Sequence, residues 1–177
     1  MGKRIIKPIY CGIFIAIGFL LPFLTMQNRQ LGQMLCLMHI PVFICGFMCG
    51  PYYGAACGLT LPLMRSLLLG MPLLFPDAVN MAFELATYGA LSGLFYFLFP
   101  KKLPFTYLAL VLAMLGGRLA YGIAAFITYG IAGLTFGIEL YLTAAFITPW
   151  MGIALHIILI VPLFTAIKAL RRNGNTN

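Results

Sequence analysis

The sequence predicts an all-α membrane protein, a bundle of about six transmembrane helices with both termini in the cytoplasm. Three observations carry that expectation. Hydrophobic residues make up 63% of the chain and charged residues 8%, so a soluble fold would lack polar side chains to cover its surface. Apolar stretches of roughly 17 to 25 residues recur along the chain, the length that crosses about 30 Å of hydrocarbon. The basic residues, finally, gather at the ends of spans that share one side of the membrane.

That last point is a matter of position. Lys3, Arg4 and Lys7 precede the first apolar run, Lys101 and Lys102 follow the fourth, and Lys168, Arg171 and Arg172 close the chain. Arg29 alone falls in a loop on the opposite side, while Arg65 and Arg118 lie inside apolar runs. This is the positive-inside pattern. The formal net charge of +8 is therefore a topology signal and not a nucleic-acid patch.

The first span is expected over about Pro8 to Leu24, running outward. Its basic start resembles a signal peptide, but no small-x-small site follows Leu20-Leu21-Pro22-Phe23, so it reads as a retained span. Thr25 to Met38 is too polar and glycine-broken to continue it and is expected as an outer loop. A short second span near His39 to Gly50, or one that begins inside the preceding loop, leads to an inner turn, Gly50-Pro51-Tyr52-Tyr53-Gly54, because Gly and Pro together stop a helix. The third span runs from about Ala55 to Leu69. Gly70 to Asp77 forms a second outer loop, with Asp77 expected to cap the next helix.

The fourth span covers about Ala78 to Phe99 and ends at Lys101-Lys102. The fifth starts with Pro104, a residue favoured in the first helical turn, and reaches about Tyr129. Gly130 to Ile147 allows two readings, the start of the last span or an outer loop with a short interfacial helix near Glu139 to Phe146. Thr148-Pro149, a cap followed by an N1 proline, favours the second. The last span is then about Pro149 to Leu170. Residues 1–172 are expected as a single transmembrane domain, and 173–177 as a short disordered cytoplasmic tail.

Polar groups in hydrocarbon are costly unless paired, so those present are informative. Glu84 lies seven residues past Asp77, Arg118 eleven before Tyr129 and His156 seven past Pro149. At about 1.5 Å per residue the depths are roughly 10 Å for Glu84 and His156 and about 16 Å for Arg118, read as one level in the outward half. Asn80, Glu84, Thr87 and Tyr88 form one helical stripe, and Arg118, Tyr121 and Thr128 another. Two readings stand, and they overlap. One is a buried Glu84–Arg118 ion pair that sets helix register, with His156 donating to a backbone carbonyl. The other is an outward-facing ligand site that includes Asn80, Glu84, Thr87, Tyr88, Arg118, Tyr121, Trp150 and His156. Arg65 reads as a snorkelling residue near the outer end of its helix.

Enzyme readings find little support. Ser66 and Ser92 lack the glycine-rich setting of an intramembrane serine nucleophile, and two His with three acidic residues are too few and scattered for a metal centre. Cys11, Cys36, Cys45, Cys49 and Cys57 show no ligand spacing and read as packing residues. No phosphate-cradling glycine loop ends in Lys-Ser/Thr, so nucleotide hydrolysis is not expected in this chain. Gly12 and Ala16 make a small-xxx-small pair on the first span, which lets another helix approach closely.

Several of these runs resemble a known family. His39-Ile40-Pro41-Val42, Cys45-Gly46, Gly50-Pro51, Gly54, Gly58 and Leu61-Pro62-Leu63 look like the substrate-binding S components of energy-coupling factor (ECF) transporters. Met81-Ala82-Phe83-Glu84-Leu85-Ala86-Thr87-Tyr88-Gly89 and Gly117-Arg118-Leu119-Ala120-Tyr121-Gly122 resemble later segments of the same family. The resemblance covers nearly the whole chain, though it rests mostly on glycine, proline and apolar positions.

It implies a six-helix bundle in the bacterial cell membrane that captures a vitamin or related micronutrient from outside. The pocket would be built by the fourth to sixth helices and covered by the outer loops. A transmembrane coupling subunit and two cytoplasmic ATPases would supply the energy, with no cofactor in this chain and ATP in the partners. Family members dock the coupling subunit through small residues on the first helix, often Ala-x-x-x-Ala. Gly12 and Ala16 stand at the corresponding positions, the glycine being a departure that keeps the residue small. Arg118 suits a carboxylate, as in pantothenate-like ligands, and Glu84 an amine or ring N–H, as in pyrimidine, pyridoxine or deazapurine compounds. The residues alone do not choose between them. The alternatives from other classes are a membrane scaffold or assembly protein and a small ion-coupled carrier.

Overall fold

The computed structural model describes residues 2–25 and 29–173. Helix α1 spans Gly2–Leu20 and ends in one 3-10 turn over Leu21–Thr25, and a short α2 covers Arg29–Leu35. There follow α3 (His39–Cys49), α4 (Pro51–Leu69), α5 (Val79–Leu98), α6 (Leu103–Ile131), α7 (Ile138–Leu142) and α8 (Trp150–Asn173). Wide π turns at Leu74–Ala78 and Thr143–Ile147 lead into α5 and extend α7. The described residues contain no strand.

Helices α1, α3, α4, α5, α6 and α8 form an all-α membrane bundle. Five stretches are long and apolar enough to cross a bilayer: Ile5–Leu24, Gln30–Cys49, Leu74–Leu98, Leu103–Ile131 and Ile138–Leu170. Helix α4 falls outside that set because its prolines, tyrosines and Arg65 lower its mean hydropathy. It is held instead by packing, between α3, α5 and α1. Helix α5 is the hub and packs against α4, α6 and α3.

Helix α3 is apolar on every side and is buried almost end to end, as expected for a helix surrounded by others. Its Phe43 and Phe47 sit in a core with Leu61, Leu85, Tyr88, Leu110, Ile160 and Phe164. Many large apolar side chains lie on the outer faces of the bundle helices, among them Ile9, Leu67, Phe97, Leu119, Phe126 and Ile158. These faces meet lipid in place of water.

The closest approach joins α4 to α5. A Cβ on Gly54 would run into the Gly89 carbonyl, one on Gly89 into the Gly54 carbonyl and one on Gly58 into the Leu85 carbonyl, so glycines let these backbones touch. All five cysteines are buried, and none forms a disulfide. The thiols of Cys11 and Cys45 both donate to the Tyr53 carbonyl at 3.6 Å.

Four local expectations are corrected. The stretch after the first span contains helix α2, since Gln30–Leu35 tolerates a helix despite Gly32; its end is closed by Cys36, at φ 49°, whose N–H donates to the Gly32 carbonyl at 3.0 Å. Residues 26–28 of that stretch, like the tail residues 174–177, lie outside the described residues. The inner turn is Gly50 alone, at φ 100°, and Pro51 already opens α4, so the third helix begins four residues before Ala55. Asp77 does not cap α5. The cap residue is Ala78 with no side-chain hydrogen bond, and Asp77 sits inside the preceding turn.

The last correction is a shift of one residue, in which α8 starts at Trp150 and the Pro149 carbonyl accepts its first bond, from Ile153 N–H at 2.9 Å. The ambiguous stretch before it combines both readings. A loop ends at Gly137, the short helix α7 follows, and its turns run on into α8.

Candidate small-molecule site

One end of the bundle gathers Pro22 from the end of α1, the α2–α3 junction, the end of α4, the 70–77 connection and the 140–149 segment. These segments surround a cavity of about 500 Å³, within the range of small-molecule sites. Glu84 and Met81 of α5 and Arg118 and Tyr121 of α6 reach it from within the bundle, and His39 from the first turn of α3. The opposite end carries Gly50, the Lys101-Lys102 turn and the basic N-terminal turn of α1.

The charged centre of the site is a pair. Arg118 Nη1 donates to Glu84 Oε1 at 2.7 Å, and Tyr88 Oη donates to the same oxygen at 2.8 Å. Both charged side chains are about 94% buried, with relative exposures of 7% for Arg118 and 6% for Glu84. Burial of either alone would be costly, and the pair offsets that cost through a short charge-assisted bond. The guanidinium also lies 6.0 Å from the Tyr88 ring centroid, within cation–π reach. From α7, Tyr141 Oη donates to the Arg118 carbonyl at 3.3 Å and steadies that part of α6.

Behind the pair lies an aromatic stack. The Tyr88 ring is 4.8 Å from Phe43 and 5.5 Å from His39, and His39 is 5.7 Å from His156. His156 Nε2 meets the Cys36 carbonyl at 3.2 Å, tying α8 to the α2–α3 junction. His39 is only 2% exposed, yet neither ring nitrogen has a hydrogen-bond partner, and Nε of Arg118 has none either. Orphaned polar atoms this deep are rare in folded proteins and call for a partner.

The eight residues singled out from the sequence are thus distributed. Glu84, Arg118 and Tyr121 line the cavity. Tyr88 and His156 stand directly behind it and hold its floor. Asn80 is spent on a buried tie between α5 and α6, its Oδ1 accepting from Thr128 Oγ1 at 2.7 Å. Thr87 bonds back to the Phe83 carbonyl of its own helix at 2.8 Å. Trp150 is 61% exposed on the surface of α8. The three groups placed at one depth do converge, with His156 linked to the Glu84–Arg118 pair through His39 and Tyr88.

The lining residues not assigned to the site from sequence include His39, Arg65 and Asp77. His39 was read as the start of a span and of a family-like run but not as a site residue, although a histidine beside an apolar run is itself a signal. Arg65 was read as snorkelling, but it lines the cavity and its Nε donates to the Met71 carbonyl at 3.2 Å, pinning the 70–77 connection. Its place four residues before the end of α4 puts it near the same level as Glu84. Asp77 lines the cavity from that connection. Among the described residues no group of three or more His, Cys, Asp or Glu side chains is arranged for a metal ion.

An all-α membrane bundle with a ligand-sized, polar-floored cavity beneath its connecting segments belongs to the class of multi-pass proteins that bind a small molecule between their helices. Within that class, the family model of the ECF transporter substrate-specific component matches residues 7–170, and the chain belongs to this family. It is a substrate-binding subunit of an ECF transporter and acts with the other subunits of that transporter. No curated protein and no solved structure matches the chain.

Proposed function

We propose that this subunit captures a vitamin or vitamin-like micronutrient from outside the cell and delivers it inward. The observation that carries the reading is the cavity of about 500 Å³ over the Glu84–Arg118 floor. It lies at the end of the bundle away from the Lys101-Lys102 turn and the basic N-terminus, so the positive-inside rule turns it outward and leaves both termini in the cytoplasm. The protein is then a component of the plasma membrane.

The work is divided among subunits. This chain supplies the site and carries no cofactor. A transmembrane coupling subunit and two cytoplasmic ATPases bind it, and ATP is consumed there. The exposed face of α1 that holds Gly12 and Ala16, flanked by Ile9, Ile13 and Ile17, is the surface offered to the coupling subunit. Arg65 and the 70–77 connection on one side, and α7 on the other, form the cover of the site.

Mass spectrometry of small molecules extracted from the purified subunit is the direct test. One micronutrient per chain is the expected result, together with recovery of the coupling subunit and ATPases in a pull-down from membranes. A carrier would transport in vesicles without those partners, and a scaffold would hold no ligand.

A further inference from the structure

The charges around the cavity cancel. Among the described residues, the charged side chains that line it are Arg65, Asp77, Glu84 and Arg118, two guanidinium groups against two carboxylates. The deepest two neutralise each other at 2.7 Å, and the other two, Arg65 and Asp77, are of opposite sign. His39 adds no charge, because an imidazolium buried without a single acceptor would be strongly disfavoured.

An ion entering this site would meet a lining with no net charge and, at its floor, a charge pair already closed on itself. A carboxylate or phosphate taking Arg118 would displace Glu84 and leave it buried beside a second anion, with only the Tyr88 hydroxyl for support. An ammonium group taking Glu84 would strand Arg118 in the same way. Breaking a buried pair is far costlier than leaving it intact. The pair therefore screens against both signs.

What the site does offer is uncharged hydrogen bonding in an apolar enclosure. Gln33, Tyr121, Thr143 and Thr148 line the cavity with uncharged donor and acceptor groups. Around them stand Leu37, Met38, Met71, Leu73 and Met81. Methionine side chains adapt to flat or irregular apolar bodies. We propose that the substrate carries no net charge and is a largely apolar small molecule with one donor–acceptor edge, of amide or heterocyclic N–H/C=O type. This rests on the capture reading above and narrows it.

The test compares neutral compounds with their charged counterparts on the purified full-length subunit. Suitable pairs are nicotinamide with nicotinate, pyridoxine with pyridoxal 5′-phosphate, and riboflavin with flavin mononucleotide, read by thermal unfolding and titration beside mass spectrometry of the copurified molecule. The copurified molecule is expected to be uncharged at pH 7. Within any pair that binds, the neutral member should bind at least tenfold tighter. A copurified ion, or tighter binding of a charged member, overturns the proposal while leaving capture intact. A chain with no extractable molecule and no response to any compound defeats capture, and this proposal with it. The Glu84→Gln variant adds a second readout, since it frees the Arg118 charge. It should shift preference toward the anionic member by tenfold or more, and an unchanged preference in a folded variant counts against the charge argument. Should that variant fail to fold, the molecule extracted from the unaltered subunit still decides.

Discussion

Glu84 and Arg118 lie 34 residues apart in sequence and 2.7 Å apart in space, and their bond joins α5 to α6 at the floor of the cavity. The geometry makes the pair both structural and part of the site. Removing one partner, as in Glu84→Gln or Arg118→Gln, strands the other and should destabilise the bundle by about 3–5 kcal/mol. The double variant should recover much of that loss, and a double-mutant cycle of unfolding measures the coupling. Ligand affinity of the double variant should still fall by tenfold or more, about 1.4 kcal/mol. Full affinity in a stable double variant would take these residues out of the binding site.

Thr128 provides the contrast. Its hydroxyl donates to Asn80 inside the bundle, away from the cavity. Thr128→Val should leave Asn80 Oδ1 unsatisfied and cost about 1–3 kcal/mol of stability. Ligand titration should give an affinity within about twofold of the unaltered protein, because the floor residues are untouched.

The Gly54–Gly89 contact sets the α4–α5 spacing. Gly89→Val places carbon against the Gly54 backbone, which cannot rotate aside as a side chain would. The expected cost is about 3 kcal/mol or more, seen as loss of monodisperse protein in size-exclusion chromatography. Gly130→Ala is the matched control, as a Cβ there meets nothing within 4 Å. That variant should be as stable as the original or slightly more so.

Gly12 and Ala16 lie on an exposed face, and a Cβ on Gly12 meets nothing within the bundle. Gly12→Leu and Ala16→Leu should therefore leave folding and ligand binding in detergent intact. Association with the coupling subunit and uptake should fall, because the bulky side chain holds the partner helix off. Normal assembly and transport by both variants would place the docking face elsewhere.

Orientation is checked by labelling. All five native thiols are buried, so cysteines introduced near position 102 and at Arg29 or Pro76 should dominate the reaction with an impermeant reagent. Reaction from outside is expected at 29 and 76 and only from inside near 102. External labelling at 102 would overturn the proposed topology.

Much of this molecule was legible in one dimension because a bilayer imposes strict terms. Apolar run length, glycine and proline breaks, and the placement of lysine and arginine gave helix extents that differ from the observed ones mostly at the ends. Constant rise per residue also placed Glu84, Arg118 and His156 at one depth. Depth follows from counting along each helix. Facing does not, since it depends on rotation about the helix axis and on which neighbour packs there.

Those were decided by tertiary structure. The glycine contact of α4 with α5 and the hub position of α5 turned Glu84 toward Arg118 and carried Asn80 to Thr128 instead of the cavity. Trp150, near the predicted site in sequence, faced outward on α8 because the opposite side of that helix was taken by His156 and the core. His39 joined the site through ring contacts with Tyr88 and His156, far along the chain, and Arg65 through a turn that bends the 70–77 connection back onto it. Span and depth are properties of each helix with lipid as its solvent, whereas the identity of each polar partner is a property of the packed bundle.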